Sequence, residues 1–148
     1  MVNSDGILLK NYMVKIYPLN KFRRLKEFSK YFKINDETVI AYDGTIYSNN
    51  ELHPDVLVHE MCHLDQQKKH GLSNFTFKYL NDKKFRLEAE REAYLKQLES
   101  IEDEGLREAV QKDIIKGLTS GLYGKITEKQ AKDLLGVKEP KLDVNKLL

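Results

Sequence analysis

The residues best suited to chemistry are His59, Glu60 and His63, which form the sequence H-E-x-x-H. On an α-helix, positions i and i+4 lie on one face about one turn apart, so both imidazoles can reach one metal ion. The Glu60 carboxylate lies about 100° around the helix, where it can reach a water molecule beside that ion. A chain of this composition is expected to contain roughly 0.01 such matches by chance. The pattern is typical of a zinc hydrolase whose glutamate is the general base.

A single helix over 54–69 is predicted to carry this motif. Pro54 suits the first helical turn, Asp55 adds negative charge near the N-terminus, and Gly71 ends the pattern. An apolar stripe runs beside the two histidines and consists of Val56, Leu57, Met61 and Leu64. The histidines are therefore expected to be partly buried, and Cys62 is interpreted as a small buried packing residue. Because Cys62 is the only cysteine, an intramolecular disulfide is excluded, which agrees with a reducing compartment.

A third ligand must come from outside this helix, because a catalytic zinc ion usually has three protein ligands and one open position. The longer zinc motif with a third histidine is excluded, since the chain lacks the glycine and the histidine that it requires after His63. The best source is an acidic helix over 88–94, which offers Glu88, Glu90 and Glu92. Glu88 and Glu92 share one face of this helix, and Glu90 points away from it. The ligand therefore comes either from Glu90 or from the face of Glu88 and Glu92, and not from both.

The two segments together resemble the gluzincin-type metallopeptidases, in which a second helix downstream brings a glutamate to the zinc ion. The likeness is to small phage and bacterial proteins that combine a hairpin, an H-E-x-x-H-x-x-Q helix and an E-x-E-A-Y helix, and it covers roughly residues 38–98. The matching residues are His59-Glu60-Met61-Cys62-His63-Leu64-Asp65-Gln66 and Glu90-Arg91-Glu92-Ala93-Tyr94. The resemblance implies one Zn²⁺ per chain, with Glu90 as the third ligand. The chain differs from many gluzincins at Tyr94, where those proteins carry aspartate.

The predicted activity is hydrolysis of peptide bonds by a zinc-activated water, with Glu60 as the general base. Four further side chains are candidates for hydrogen bonding to the ligands or for stabilising the oxyanion: Gln66, His70, Tyr94 and Tyr123. The alternative is a non-catalytic zinc-binding or structural, phage-associated protein that keeps the H-E-x-x-H helix. A catalytic site predicts an open fourth position, whereas a structural site predicts a fourth protein ligand such as His70 or Cys62.

The pattern around the motif predicts an α+β fold that is mainly helical and has a small antiparallel sheet. A strand near 12–17 and a hairpin over 38–48 form this sheet, and Asp43-Gly44 is a typical two-residue hairpin turn. The sheet is expected to pack on the helix of the zinc motif. A peptide or protein substrate could then pair with the outer edge of the hairpin.

Helices are also predicted on both sides of these segments, from apolar residues at helical spacing and from capping residues. They span 21–32, 83–100, 102–116 and a short stretch from the capping box at Thr127 to Gly136. The residues 72–74 are interpreted as a loop with capping character.

Length and composition limit the class of protein. The 148 residues predict one domain over 1–148, with its core at about 10–136 and a weakly held tail over 137–148. A net charge of +2 does not favour a nucleic-acid partner, and the basic residues over 21–33 are interpreted as a solvated surface. We find no apolar stretch of about 18 residues and no secretory signal, so no membrane partner and a cytoplasmic location are expected. The resemblance is also compatible with association with a virion.

Overall fold

A computed structural model describes the backbone of residues 2–3, 6–9 and 12–137 and the side chains of residues 14–137. The strands are β1 (Val2–Asn3), β2 (Gly6–Leu9), β3 (Tyr12–Tyr17), β4 (Ile40–Tyr42) and β5 (Thr45–Tyr47). The helices are α1 (Leu25–Phe28), α2 (Pro54–His70), α3 (Leu72–Asn81), α4 (Lys83–Glu99), α5 (Glu104–Leu118) and α6 (Glu128–Leu134). All of the predicted tail except Val137 lies outside the described residues.

The sheet has the strand order β1-β2-β3-β5-β4, and the fold is mainly helical. The predicted α+β class is confirmed, but the sheet is mixed rather than purely antiparallel. β5 pairs with β3 in parallel, with Ile16 opposite Ile46, whereas the other neighbours are antiparallel. The parallel pair arises because the second strand of the hairpin, and not the first, lies beside β3. β4 is therefore left at the edge of the described sheet.

The predicted hairpin turn is confirmed by its backbone angles. Asp43 has a φ of +50° and Gly44 a φ of +76°, and two successive positive φ values are the mark of a type I′ turn. This turn matches the twist of two directly paired strands, so β4 and β5 keep the register Tyr42 to Thr45 and Ala41 to Ile46. The hairpin thereby places residues 39–42 beside the zinc-motif helix α2.

α2 begins at the predicted Pro54 and ends at His70, one residue later than expected. Its apolar stripe packs on the sheet through a core of Val14, Ile46, Leu52, Leu57 and Leu64. The side chains of His59 and His63 are also buried, on the side of α2 that contacts α4. α2 is thus held between the sheet and α4, and this arrangement fixes the position of the motif.

Two predicted elements are wrong. The segment 21–32 forms only a 3₁₀ turn at Leu19–Lys21 and the four-residue α1, because its aromatic side chains pack in different directions. Phe22 packs against Tyr42 and Tyr47, whereas Phe32 packs against Tyr79. Residues 72–74 form the first turn of α3 rather than a loop, and Phe75 of that helix is buried.

α5 and α6 pack against the C-terminal half of α4. Their shared core contains Leu98, Ile114, Ile115, Leu118, Ala131 and Leu135. The predicted capping box is confirmed, since the Thr127 hydroxyl accepts from the Gln130 amide while the Gln130 side chain accepts from the Thr127 amide. Within the described part of the chain, no helix has the length and apolar character needed to cross a membrane.

Arg86 joins α3, α4 and the loop before α6. Its guanidinium is 6% exposed and donates to the carbonyl oxygens of Tyr79, Leu80 and Leu122 at 2.8, 2.9 and 2.7 Å. Two of these carbonyls end α3, where the helix dipole also favours a cation. We expect Arg86→Met to lower the free energy of unfolding by about 2–4 kcal/mol, because three carbonyl acceptors, one buried and two part-buried, lose their donor. Urea denaturation followed by circular dichroism measures this loss.

Arg91→Met is the matched control. Arg91 lies on the same helix but is exposed, and its guanidinium donates to the single carbonyl of Leu134. Its substitution should cost less than about 1 kcal/mol. Equal losses in the two variants would contradict the structural role assigned to Arg86.

Candidate metal centre

Three side chains from two helices meet at one point. His59 and His63 of α2 bring their Nε2 atoms to 3.1 Å from each other. The Glu90 carboxylate of α4 places Oε2 at 3.1 Å from His59 Nε2 and Oε1 at 2.8 Å from His63 Nε2. All three residues are at most 7% exposed. Within the described part of the chain, these are the residues gathered closely enough to hold a metal ion.

The donor set fits a transition metal such as zinc. Two imidazole nitrogens and a carboxylate oxygen form a common catalytic zinc set, and bonds of about 2.0–2.1 Å put tetrahedral ligand atoms about 3.3 Å apart. The observed separations of 2.8–3.1 Å are slightly shorter, so small outward shifts of the side chains would admit an ion. The same three donor types also serve other divalent metals, and the geometry alone indicates a metal site rather than a particular ion.

The electrostatics of the site favour a charged carboxylate beside the imidazoles. Burial opposes ionisation of Glu90, but His63 and His59 outweigh burial and hold the pKa of Glu90 well below its usual range. Burial likewise lowers the pKa of His63, but the Glu90 carboxylate outweighs burial and raises this pKa to about 10. The ionised Glu90 carboxylate therefore favours a positive charge at His63 Nε2, and either a proton or a metal ion can supply it.

Gln66 fixes the orientation of His63. Its Oε1 lies 2.9 Å from His63 Nδ1, and an Nδ1–H donated to this oxygen leaves Nε2 free to bind a metal. Its Nε2 donates to the Ala89 carbonyl at 2.9 Å and to a Glu92 carboxylate oxygen at 3.2 Å. The side chain thus connects a histidine of α2 with the backbone that directly precedes Glu90. Gln66 was predicted from the sequence as a neighbour of the site.

His59 is held differently. Its Nδ1 atom is buried and has no hydrogen-bond partner among the described residues. Its ring packs instead against the ring of Tyr94, with the centroids 4.7 Å apart. Tyr94 is therefore beside the site, as predicted, but it supports His59 by ring contact rather than by accepting a hydrogen bond from it.

Tyr79 is the neighbour that the sequence analysis missed. Its hydroxyl donates to Glu90 Oε1 at 2.8 Å, and its ring packs near that of His63 at 6.1 Å. Tyr79 lies on α3, and only the angle between α3 and α4 brings its hydroxyl to the carboxylate. The sequence carried no signal for this contact.

The Glu60 carboxylate is 8% exposed and lines the pocket beside the metal site. No protein hydrogen bond holds it among the described residues, so its oxygens are free to accept from a water molecule or a substrate. Burial raises the pKa of Glu60, and the electrostatic interactions of its carboxylate with His59 and His63 act against this rise. Glu60 thus lines the same pocket as His63 and Glu90 and does not belong to the group of candidate ligands.

Of the two remaining candidates from the sequence, Tyr123 lies beside the candidate metal site and His70 does not. Tyr123 lines the same pocket and hydrogen-bonds Tyr94. His70 is exposed and packs against Phe75 and Phe85, so it does not reach the metal site.

The two competitors of Glu90 and the cysteine also lie outside the ligand set. Glu88 is exposed, and Glu92 is half-exposed and accepts from Gln66 and Cys62. Cys62 is buried as predicted, at 2% exposure, and burial together with the hydrogen bond to Glu92 raises its thiol pKa to about 12.

A pocket of about 230 Å³ opens beside the candidate ligands. One wall is formed by Glu60, His63 and Glu90, and another by residues 38–42 around β4. The remaining lining comes from residues 28–34, from α3, from the loop at 122–123, and from Gln67 and Arg86. The metal site therefore faces a concave space large enough for a small ligand or one side chain of a larger one.

We predict that Gln66→Leu weakens zinc binding about 10- to 100-fold, the usual effect of removing a hydrogen bond that orients a ligand histidine. The loss of the contact to Nδ1 frees the His63 ring to rotate and to change tautomer. Competition titration with a chromogenic zinc chelator measures the affinity.

Gln97→Leu serves as the matched control for Gln66→Leu. Gln97 is equally buried and also joins α4 to α2, through a 2.8 Å hydrogen bond to Asp55, but at a distance from the ligands. It should destabilise the fold to a similar extent and leave zinc affinity unchanged. Equal zinc affinity in the two variants would show that Gln66 does not position His63.

Comparison of the chain with models of protein families, with curated proteins and with solved structures finds no match.

Proposed function

We propose that this protein is a zinc-dependent metallopeptidase. The observation that carries the proposal is the convergence of His59, His63 and Glu90 within 2.8–3.1 Å, beside a Glu60 carboxylate that accepts no hydrogen bond from a described residue. A three-ligand set with a neighbouring free carboxylate is the arrangement that hydrolysis by an activated water requires.

Each residue of the site has a distinct role in the proposed reaction. Zn²⁺ bound by the three ligands would supply a Lewis acid and lower the pKa of a water molecule towards about 7. Glu60 accepts the proton of the attacking water and then gives it to the leaving amine, as a general base and acid. Tyr79 holds the Glu90 carboxylate through its hydroxyl, and Gln66 holds the ring of His63. Among the predicted donors to the oxyanion, Tyr123 has the most suitable position because it lines the pocket.

A non-catalytic zinc site is the competing function, and the ligand set argues against it. A structural zinc site normally has four protein ligands. Within residues 14–137, the group that could hold a metal ion comprises three residues, and neither His70 nor Cys62 belongs to it. An open fourth position beside a pocket favours hydrolysis over a purely structural role.

Removal of the metal ion is the first test of the proposal. Purified protein loaded with one equivalent of zinc is incubated with a mixture of unstructured peptides, and the products are identified by mass spectrometry. We expect peptide cleavage that stops after dialysis against a chelator and returns when zinc is added back. The cleavage positions should be the same before removal and after restoration.

A contaminating peptidase is excluded by adding the same chelator and zinc to a preparation of Glu60→Gln. Absence of cleavage in zinc-loaded wild-type protein over a broad peptide mixture would contradict the proposed activity. Failure to bind zinc at all would contradict the metal site as well.

A further inference from the structure

The pocket beside the metal site is mostly apolar, apart from the wall that carries the catalytic candidates. Phe32, Ile34, Val39, Leu80 and Leu122 contribute to its lining. These residues come from four different parts of the chain, and Leu122 is 46% exposed at the pocket. An apolar surface left open next to a hydrolytic site is best explained as a place for an apolar group of the substrate.

The size of the pocket indicates how large this group is. A cavity of about 150 Å³ lined by apolar side chains is enough to bind benzene. The pocket here measures about 230 Å³ and has space for one aromatic or large aliphatic side chain with part of its backbone.

The charge of the pocket limits which side chains can enter. The Arg86 guanidinium lines the pocket, is 6% exposed, and forms no salt bridge with a carboxylate among the described residues. It lies over the rings of Phe32 and Tyr79 at 5.0 and 5.6 Å. A lysine or arginine side chain of a substrate would meet this positive charge at low dielectric, where repulsion is strong. At the part of the pocket lined by Arg86, this repulsion disfavours a basic side chain, whereas the carboxylates of Glu60 and Glu90 lie on the wall that carries the candidate ligands.

The backbone of β4 has fewer free hydrogen-bonding groups for an incoming peptide than an edge strand usually has. Gln67 of α2 donates through Nε2 to the Ala41 carbonyl at 2.8 Å and accepts from the Asp43 amide at 2.9 Å. These are groups on the outer side of β4, where an added strand would pair. The bonds to Gln67 leave only the part of the edge around Val39 and the Ala41 amide available for pairing.

We propose that the pocket selects peptides by a single large apolar side chain next to the cleaved bond, and that extended backbone pairing contributes little. This proposal rests on the proposed peptidase function and specifies its substrate class. One anchor in the pocket and a short stretch of edge suit short unstructured segments with an aromatic or leucine-like residue.

Binding to zinc-loaded Glu60→Gln tests the proposal without turnover. The probes are hexapeptides of Gly, Ala and Ser with both termini capped, and each carries one Phe, Leu, Ala or Lys, placed at each position in turn. Isothermal titration should give affinities about 10- to 100-fold higher for the best Phe or Leu peptide than for its Ala counterpart, from burial of the side chain. The Lys peptides should bind no better than the Ala peptides. Lengthening the best peptide by four residues should change its affinity by less than about threefold, in contrast to the gain expected from added strand pairing.

Phe32→Ala removes one apolar wall and should reduce the preference for Phe over Ala about tenfold. Phe77→Ala is the matched control, because Phe77 is 68% exposed and does not line the pocket. Equal affinity for the Phe and Ala peptides, or a large gain with length, would overturn the proposal. Cleavage by wild-type protein without side-chain preference would overturn it while leaving the peptidase function intact. Selective binding without cleavage by wild type would support the pocket and contradict the peptidase function.

Discussion

Replacement of Glu60 by glutamine is expected to abolish peptide hydrolysis while zinc stays bound. Glutamine keeps the size of the side chain but cannot take a proton from the attacking water. General acid–base catalysis typically contributes about 10²–10⁴-fold in rate, so kcat should fall within that range. Zinc content, measured by plasma mass spectrometry, should remain near one ion per chain because Glu60 is not among the three ligands.

The structure supports this separation of binding from catalysis. Glu60 lies 8% exposed in the pocket wall, and no hydrogen bond to a described residue depends on its charge. Glu60→Gln should therefore fold normally. Glu88→Gln is the control, since Glu88 is exposed on α4 and the same chemical change there should alter neither rate nor zinc content. A Glu60→Gln variant with wild-type kcat would exclude Glu60 as the base.

The parts of the fold that the sequence could predict are those with a local periodic signal. α2 was predicted within one residue because its apolar stripe, Pro54 and Gly71 all agree. The turn at Asp43 and Gly44 was predicted because few residues tolerate two positive φ values. The segment 21–32 was predicted wrongly because its aromatic spacing suits a helix, whereas packing against Tyr42, Tyr47 and Tyr79 overrides local preference.

Within the candidate site, only the residues with a local signal in the sequence could be predicted from the sequence alone. The two histidines and Glu60 lie on one helix, so their relation follows from helical geometry alone. Glu90 required the resemblance to known metallopeptidases, since Glu88 and Glu92 carry the same chemistry. Tyr79 could not be predicted, because it reaches Glu90 only through the packing of α3 on α4.

Two further residues of the pocket, Gln67 and Arg86, could not be predicted from the sequence for a similar reason. Gln67 binds the β4 backbone and Arg86 caps α3, and both contacts depend on how α2, α3 and α4 are arranged in space. Polar residues on a charged helix face are ordinarily solvated, so nothing in their spacing marked them as buried. Side-chain contacts between distant segments are thus the part of this site that required the structure.

Glu90→Gln is expected to lower zinc affinity by about 10²-fold or more, because an ion that gains roughly 10 kcal/mol or more from its ligands loses its only anionic donor. The glutamine amide retains the shape of the side chain and can still accept the hydrogen bond of Tyr79. The effect should therefore come from the lost charge and ligand strength, and not from a cavity. Zinc content after gel filtration and chelator competition measure it.

Glu92→Gln on the same helix is the decisive comparison. Glu92 accepts from Gln66 and Cys62 and does not belong to the group of candidate ligands, so its substitution should leave most of the zinc affinity. Glu90 instead contacts both imidazoles and is 5% exposed. If Glu90→Gln keeps full zinc affinity and Glu92→Gln loses it, the ligand lies on the other face of α4 and the geometry proposed for catalysis is wrong. If neither variant loses zinc, the two histidines bind the ion without a carboxylate from this helix.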